Sequence, residues 1–282
     1  MEFSHKPVLL KECIEGLNVR KDKIYVDGTL GGAGHSFEIA KKLDGTGLLI
    51  GIDRDKEAIE ASKQKLNEFT NIKFVNSNHD NIKQILEEMQ ISGVDGILLD
   101  LGVSSYQLDE KSRGFSYMKE SELDMRMDKT QELTAKYVVN NYKEEELARI
   151  IFEYGEEKFS RQIARKICET RKKEEIKTTT QLVKIIEKAI PEFAKHKEGH
   201  PAKRTFQAIR IEVNNEIEPL YNTVINSIKA LNSGGRLCII TFHSLEDRAV
   251  KRAYTDALRK MHMPKRIAIL RMWQTSIRKN NK

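Results

Sequence analysis

One stretch of the sequence decides the fold, Lys23-Ile24-Tyr25-Val26-Asp27-Gly28-Thr29-Leu30-Gly31-Gly32-Ala33-Gly34-His35-Ser36. It predicts a short apolar strand ending in an acid, then a glycine-dense turn, then the start of a helix. Glycines permit positive φ and let backbone N–H groups approach a ligand at a helix N-terminus, which is how open α/β sheets bind nucleotide-like cofactors. The stretch therefore predicts such a cofactor site, with a plain tight turn as the alternative.

The spacing of the glycines indicates which ligand to expect. Counted from Gly32, the dinucleotide fingerprint G-x-G-x-x-G is met at Gly34 but has Phe37 where its third glycine belongs. A second apolar run ends in Asp53, about 20 residues past the glycines, where a carboxylate can bind two ribose hydroxyls. S-adenosylmethionine (SAM) has an adenosine ribose but no pyrophosphate, so we expect SAM rather than a nicotinamide dinucleotide.

Strand and helix patterns alternate along the first hundred residues. After Asp53 a helical stripe leads to a third strand at 72–75, and another helix leads to a fourth strand at 93–100 that is apolar throughout and ends in Asp100. This alternation is typical of a doubly wound, mostly parallel sheet, which binds ligands beyond the carboxyl ends of its strands. Asp27, Asp53 and Asp100 are all predicted at such ends.

Past Asp100 the pattern changes. Residues 101–129 are polar and irregular, and a loop of that length in a compact domain is usually functional. From residue 133 to 197 only helical periodicity appears, which predicts an all-helical subdomain inserted into the sheet domain. We therefore predict a cofactor domain in two parts, 1–108 and 201–282, around a helical insertion at 109–200.

The parent domain resumes with two helical patterns, the turn Ser233-Gly234-Gly235 and a fifth strand at 236–242. His243-Ser244-Leu245-Glu246 follows this strand. A histidine at a strand end beside a carboxylate could be a general base, whereas a serine followed by an acid is typical of a helix N-cap. We favour the structural role.

Composition bounds the function. The chain has 282 residues, 39% hydrophobic and 32% charged, and no apolar run approaches the roughly 20 residues that span a membrane. We predict a cytoplasmic protein without a membrane partner, since residues 1–10 lack the apolar core of a signal peptide. The three cysteines are far apart and none forms a C-x-x-C pair, so neither a metal nor a disulfide is expected.

The chain is basic. Its 49 Lys and Arg against 42 Asp and Glu give a net charge of +7. A basic excess attracts polyanions such as RNA, but it also occurs on ordinary solvated surfaces, and the charge alone leaves both open. The cluster we predict to bind RNA is Lys195, Lys197, Lys203, Arg204 and Arg210.

Several uncommon motifs follow one another in a recognisable order. They are Gly31-Gly32-Ala33-Gly34-His35-Ser36, Leu99-Asp100-Leu101-Gly102-Val103-Ser104-Ser105-Tyr106-Gln107-Leu108-Asp109, Arg113-Gly114-Phe115-Ser116, Leu123-Asp124-Met125-Arg126-Met127-Asp128, Arg204-Thr205-Phe206-Gln207-Ala208-Ile209-Arg210 and His243-Ser244-Leu245-Glu246-Asp247-Arg248. Through them the chain resembles class I SAM-dependent methyltransferases, and among these the bacterial 16S ribosomal RNA (cytosine-N4)-methyltransferase family, from about Ser4 to about Tyr254.

The resemblance implies a class I fold with a helical insertion, SAM as methyl donor, and a P-site cytosine of 16S rRNA, position 1402, in the small ribosomal subunit as acceptor. It also implies a set of cofactor contacts, at Ala33, Gly34, His35, Asp53, His79, Asp100 and Gln107. His79 stands where the family usually has phenylalanine, so we expect weaker SAM binding. Residues 261–282 match neither the further strand nor the arginine-rich closing motif of the family.

The amino group of cytosine is a poor nucleophile, because its lone pair is delocalised into the ring, and the enzyme must align it with the methyl group. Accepting a hydrogen bond from this group would raise its electron density. Asp100, a backbone carbonyl in 101–104, or a hydroxyl of Ser104 or Ser105 could accept it. Alternatively, Asp100 only orients the cofactor. Phe115, Tyr117 and Phe206 could stack on the unpaired base, or belong to the core.

Other functions stay open at this point. The chain could methylate a different acceptor, or it could be a ribosome-assembly RNA-binding factor with a vestigial SAM pocket. A nicotinamide oxidoreductase is a third reading, which Phe37 disfavours. The sequence also leaves open whether the chain forms a homodimer.

Overall fold

The computed structural model describes residues 7–195 and 199–260, without the side chains of Ser105 and Lys260. The chain divides into two compact units. The sheet unit comprises the residues up to Gly102 and those from Ile217 onward, and the helical unit is Val103–Glu216. No helix among the described residues is both long enough and apolar enough to cross a bilayer.

The sheet unit alternates strands and helices in chain order. Its elements are α1 Leu10–Leu17, β1 Ile24–Asp27, α2 Gly34–Leu43, β2 Leu48–Asp53, α3 Lys56–Lys65, β3 Ile72–Asn76, a 3₁₀ turn at His79–Asn81, α4 Ile82–Glu88, β4 Val94–Asp100, α12 Leu220–Lys229, β5 Leu231–Ile240 and α13 Ser244–Lys260. The helical unit holds α5 Ser105–Asp109, a 3₁₀ turn at Lys111–Arg113, α6 Ala135–Asn141, α7 Glu144–Glu153, α8 Ser160–Arg171, α9 Thr179–Ala189, α10 Glu192–Lys195 and α11 Lys203–Asn214.

The five strands form one sheet in the order β3-β2-β1-β4-β5, and every neighbouring pair is parallel. Asp27 pairs with Gly51 on one side and with Leu98 on the other, so β1 lies at the centre. Strand order reverses at β1, which places a crevice at the carboxyl ends of β1 and β4. The predicted doubly wound α/β fold is confirmed.

Both faces of the sheet are buried along β1, β2 and β4, which explains why these strands are mostly apolar. Val26, Ile97 and Ile239 face α4, α12 and α13 on one side. Tyr25 and Leu98 pack with α1 and α2 on the other. Parallel sheets need this double cover, because their crossover helices return over both faces.

The fifth strand differs from its prediction at both ends. It begins at Leu231 rather than at 236, and it ends at Ile240 rather than at 242. Val94 pairs with Leu231 and Gly96 with Arg236, so the predicted turn Ser233-Gly234-Gly235 lies within the strand as an irregularity. The backbone of β5 pairs with β4 both before and after these three residues. Turn-forming residues in the sequence do not reveal that a strand continues beyond them.

The helical unit has its own apolar core. The three predicted stripes become α7, α8 and α9, with Leu147, Ile163 and Leu182 fully buried. The unit extends beyond the predicted bounds of 109–200, because α11 belongs to it. Phe206 and Ile209 on α11 pack into the same core, so the helix that we assigned to the resumed sheet domain completes the insertion instead.

The irregular segment after Asp100 is tightly organised. Buried Arg113 donates from Nη2 to the carbonyl oxygens of Arg126 and Met127, each at 3.0 Å. Asn214 donates to the carbonyl oxygen of Met125 and accepts from the backbone N–H of Met127, both at 2.8 Å. These two side chains satisfy backbone groups that no helix or strand satisfies, and so they fix the segment.

Gly114 ends the 3₁₀ turn at φ +70°, and a Cβ there would collide with the carbonyl oxygen of Glu122. We therefore expect Gly114→Ala to lower the free energy of unfolding by about 3 kcal/mol, from left-handed strain plus the collision. Gly199→Ala is the matched control, because Gly199 has φ +89° but no atom of the described residues lies within 4 Å of an added Cβ, and the change should cost about 1 kcal/mol. Urea denaturation followed by circular dichroism measures both. Equal losses in the two variants would contradict the collision.

Candidate functional site

Three carboxylates lie at the carboxyl ends of neighbouring strands. Asp27 ends β1, Asp53 ends β2 and Asp100 ends β4. Because the three strands are adjacent and parallel, their ends meet at one edge of the sheet. The predicted cofactor residues of the sheet unit, Ala33, Gly34, His35, Asp53, His79 and Asp100, all belong to segments at this edge.

Asp27 anchors the glycine loop that follows β1. Its carboxylate is buried and accepts from the backbone N–H of Thr29 at 3.2 Å and from the hydroxyl of Ser36 at 2.6 Å. The two ends of the loop are thus tied to one side chain. The sequence predicted Asp27 at a strand end, but it did not predict that Asp27 anchors the loop. Ser36, whose hydroxyl Asp27 binds, lies within the helical pattern of α2, and nothing in that pattern marks it as a hydrogen-bond partner.

The loop enters α2 through Ala33, whose φ of 55° puts it in the left-handed region. Gly34 begins the helix directly against the ring of Pro7, where a Cβ would not fit. The loop is also held from the side, since Lys65 donates to the carbonyl oxygen of Gly32 at 2.8 Å. The glycines therefore serve close backbone packing as well as any ligand.

Asp53 holds the loop from the second strand. Its Oδ2 accepts from the N–H of Gly31, and its Oδ1 accepts from the N–H of Asp55, both at 2.8 Å. Burial raises the pKa of Asp53 to about 6, so the carboxylate is ionised at neutral pH. Each oxygen has a second lone pair, which leaves capacity for ribose hydroxyls.

Asp100 lies at the end of β4, where burial and neighbouring acids act on its carboxyl group. Its backbone N–H donates to Oγ1 of Thr29 at 2.6 Å, which links β4 to the glycine loop. Within the described part of the chain, no donor reaches its Oδ1, although this atom is buried. Burial, together with the negative charges of Asp27 and Glu246, raises the pKa of Asp100 to about 7.

His79 lies in the 3₁₀ turn after β3, next to Gly28. A Cβ on Gly28 would come within 3.3 Å of the Cβ of His79. Burial, with the positive charge of Arg54 as a smaller cause, lowers the pKa of His79 to about 3. The ring is therefore neutral at physiological pH, and its buried Nδ1 has no hydrogen-bond partner among the described residues.

These features fit SAM, whose sulfonium and ammonium groups are positive. The edge of the sheet carries a buried, unpartnered carboxylate oxygen on Asp100 and an ionised carboxylate on Asp53. A neutral ring at His79 suits the purine. That Ala33, Gly34, His35, Asp53, His79 and Asp100 hold the cofactor stays a prediction for the sheet unit.

Ser104 and Gln107 belong to the helical unit, where they cap a short helix. Oγ of Ser104 accepts from the N–H of Gln107, and the Gln107 side chain accepts from the N–H of Ser104, both at 3.2 Å. This capping box begins α5, in a segment that we predicted to be irregular. The Ser-x-x-Gln spacing was the signal that could have revealed it. Ser105 is the first residue of α5, and its side chain lies outside the described atoms.

The predicted RNA cluster divides into different environments. Lys203 is exposed, Lys195 pairs with Glu192 at 2.6 Å, and Arg204 donates to the carbonyl oxygen of Glu156 at 2.9 Å. Arg210 instead forms a two-point ion pair with Glu216, at 2.9 and 2.8 Å, in a largely buried position. That pairing gives Arg210 a structural role, which its charge alone did not indicate. Lys197 lies outside the described residues.

Of the candidate stacking residues, Phe115 and Phe206 are buried in the helical core. Tyr117 is half-buried and stacks on His200, with ring centroids 4.6 Å apart.

The helix after β5 already includes Ser244, the residue that we favoured as its N-cap, and Nε2 of His243 lies 3.1 Å from Oε1 of Glu246. α13 begins at Ser244, and Oε2 of Glu246 accepts from the N–H groups of Phe242 and His243, at 2.7 and 3.3 Å. His243, rather than Ser244, is therefore the residue that precedes the helix. The carboxylate of Glu246 lies at the N-terminus of α13, where the helix dipole stabilises its negative charge.

Comparison with known proteins gives a family for this chain. The family model described as "MraW methylase family" matches residues 2–280. "Ribosomal RNA small subunit methyltransferase H" of Clostridium botulinum strain 657 is 61% identical over 252 residues, which cover 89% of this chain and 81% of that protein. Proteins of the same name in Clostridioides difficile strain 630 and Lachnospira eligens are 54% and 56% identical, over 94% and 91% of this chain and 86% and 82% of theirs. The chain therefore belongs to the MraW methylase family.

Proposed function

We propose that this chain transfers a methyl group from SAM to the N4 amino group of a P-site cytosine, position 1402, of bacterial 16S rRNA. The observation that carries the proposal is the match to the family over residues 2–280, with relatives named as small-subunit rRNA methyltransferases at 54–61% identity. The acids at the sheet edge supply the cofactor site that this reaction needs. The proposal includes a cytoplasmic location and the small ribosomal subunit as partner, while a homodimer stays a prediction.

When bound, SAM supplies an electrophilic methyl group on its sulfonium. In this proposal Asp53 accepts hydrogen bonds from the ribose, and the backbone of Ala33 and Gly34 lines the cofactor beside it. In this proposal Oδ1 of Asp100 accepts from the N4 amino group rather than binding the cofactor, because it is buried and unpartnered within the described chain. The capping roles of Ser104 and Gln107 make the hydroxyl of Ser104 a weaker acceptor candidate, since that oxygen already accepts from a backbone N–H.

The test of this function is methyl transfer from labelled SAM to small ribosomal subunits that lack the modification, followed by nucleoside mass spectrometry. N4-methylcytidine in the product, at the expected position, would establish donor, acceptor and reaction. SAM binding without transfer to rRNA would favour another acceptor. Absence of SAM binding would favour an assembly factor with a vestigial pocket.

The ring at residue 79 gives a binding prediction. We expect His79→Phe to tighten SAM binding about fivefold, equivalent to about 1 kcal/mol, because a phenyl ring offers the purine a larger aromatic face than an imidazole does. Isothermal titration calorimetry measures the dissociation constant. His79→Leu is the control, since it removes the nitrogen and also the aromatic face, and it should bind more weakly than the Phe variant. Weaker binding by the Phe variant than by the wild type would show that the imidazole nitrogen contacts the cofactor.

The exposed lysine at the start of α11 gives an RNA prediction. We expect Lys203→Ala to weaken binding to small ribosomal subunits and to reduce the slope of log affinity against log salt by about 1, the contribution of one phosphate contact. Lys63→Ala is the control, because Lys63 lies on α3 of the sheet unit and pairs with Glu60 at 2.8 Å. Fluorescence anisotropy across a salt series measures both slopes. Identical slopes would remove Lys203 from the RNA surface.

A further inference from the structure

His35 is held between two oxygens of the sheet unit. Its Nε2 lies 3.0 Å from the carbonyl oxygen of Val8, and its Nδ1 lies 3.8 Å from Oδ2 of Asp100. A carbonyl oxygen can only accept a hydrogen bond, so the proton of a neutral imidazole must be on Nε2. The lone pair on Nδ1 therefore faces the carboxyl group of Asp100.

The surroundings of Asp100 favour a proton on its carboxyl group or on a group beside it. Asp27 on β1, Glu246 on α13 and Cys13 on α1 interact electrostatically with Asp100, and His35 on α2 lies 3.8 Å from it. Asp27 and Glu246 are carboxylic acids, and burial keeps the thiol of Cys13 protonated by raising its pKa. No lysine or arginine is among these neighbours to hold Asp100 in its anionic form, and His35 is the one proton acceptor among them that is not itself an acid.

We propose that Asp100 and His35 form a proton-sharing pair, which together takes up the proton that the N4 amino group loses during methylation. The inference rests on the proposed function and adds a positioning residue to it. The separation of 3.8 Å is within ion-pair reach and longer than a hydrogen bond, as is usual before a substrate closes a site.

The N4 lone pair forms the new N–C bond, the electrons of the S–C bond remain on sulfur, and the electrons of one N4–H bond return to nitrogen. The released proton goes to Oδ1 of the Asp100 carboxylate, which has no hydrogen-bond partner among the described residues. Rotation of the carboxyl group then lets its O–H donate to Nδ1 of His35. Because two sites share the proton, the pair binds it more tightly than Asp100 alone.

Two substitutions of His35 separate proton sharing from simple packing. His35→Gln can keep an N–H donor toward Val8 but has no acceptor at the place of Nδ1. His35→Asn keeps an acceptor oxygen near that place but cannot reach Val8. Proton sharing predicts that the Gln variant is the more damaged of the two, whereas packing of the ring against Val8 predicts the reverse.

The readout is the single-turnover rate of methyl transfer from about pH 5.5 to about pH 9, with the SAM dissociation constant measured alongside. The wild-type rate should rise with pH at or above about 7, because the pKa of Asp100 is raised to about 7 and the pair binds the proton more tightly than Asp100 alone. In His35→Gln we expect the plateau rate to fall about 100-fold and the pH at which the rate rises to become lower. In His35→Asn we expect the plateau rate to fall by no more than about tenfold. Asp100→Asn should abolish the rise. A Gln variant with the wild-type plateau and the same rise would overturn the pair.

A second measurement does not depend on turnover. Nitrogen-15 NMR of histidine-labelled protein reports which ring nitrogen of His35 carries the proton at each pH. We expect Nδ1 to be unprotonated at high pH in the wild type, and the titration of His35 to shift in Asp100→Asn. The same His35 titration in Asp100→Asn as in the wild type would overturn the proton-sharing pair. A shifted titration, combined with a wild-type protein that methylates no ribosomal subunits, would overturn the proposed function alone.

Discussion

A buried carboxylate needs hydrogen-bond donors, and the site depends on how Asp27 meets that need. Its oxygens take the N–H of Thr29 and the hydroxyl of Ser36, so the glycine loop can adopt only a conformation that brings both donors to the end of β1. Thr29 in turn accepts from the N–H of Asp100. The glycine loop and the strand that ends in Asp100 are therefore positioned by one connected set of hydrogen bonds. Removing one member would leave a buried polar group poorly satisfied, which costs more than the bond itself contributes.

The same crowding of acids gives the site its chemistry. Asp27, Asp100 and Glu246 share a poorly hydrated region, and Asp100, which has the fewest donors, titrates near neutral pH. A carboxyl group in this state can exchange a proton at little cost, whereas a fully solvated one would be a weak base. Burial also keeps the ring of His79 neutral, because a poorly hydrated environment disfavours positive charge on an imidazole as it disfavours negative charge on an acid. Burial thus sets the protonation of both groups.

Much of this was predictable from the sequence, because strand ends are marked locally. The alternation of apolar runs and helical stripes predicts the parallel sheet, and the acids that end those runs predict Asp53 and Asp100 at one edge. The bounds of the insertion were not predictable in the same way, since α11 is amphipathic and could cover either core. The ion pair of Arg210 with Glu216 and the tie between Asp27 and Ser36 depend on partners brought together by tertiary packing. The capping box at Ser104 was visible in the sequence, but a long polar stretch obscured it.

The pairing of β4 with β5 joins segments on either side of the helical unit. During synthesis β1 to β4 emerge first, and the outer edge of β4 has no strand to bond with until the ribosome has made the whole insertion. Exposed strand edges recruit other chains, and contacts distant in sequence form slowly. The insertion has its own apolar core, so it can become compact during that interval. The nascent chain therefore passes through a stage at which the cofactor edge is largely assembled but one flank of the sheet is open, and this is the stage at which a chaperone would protect it.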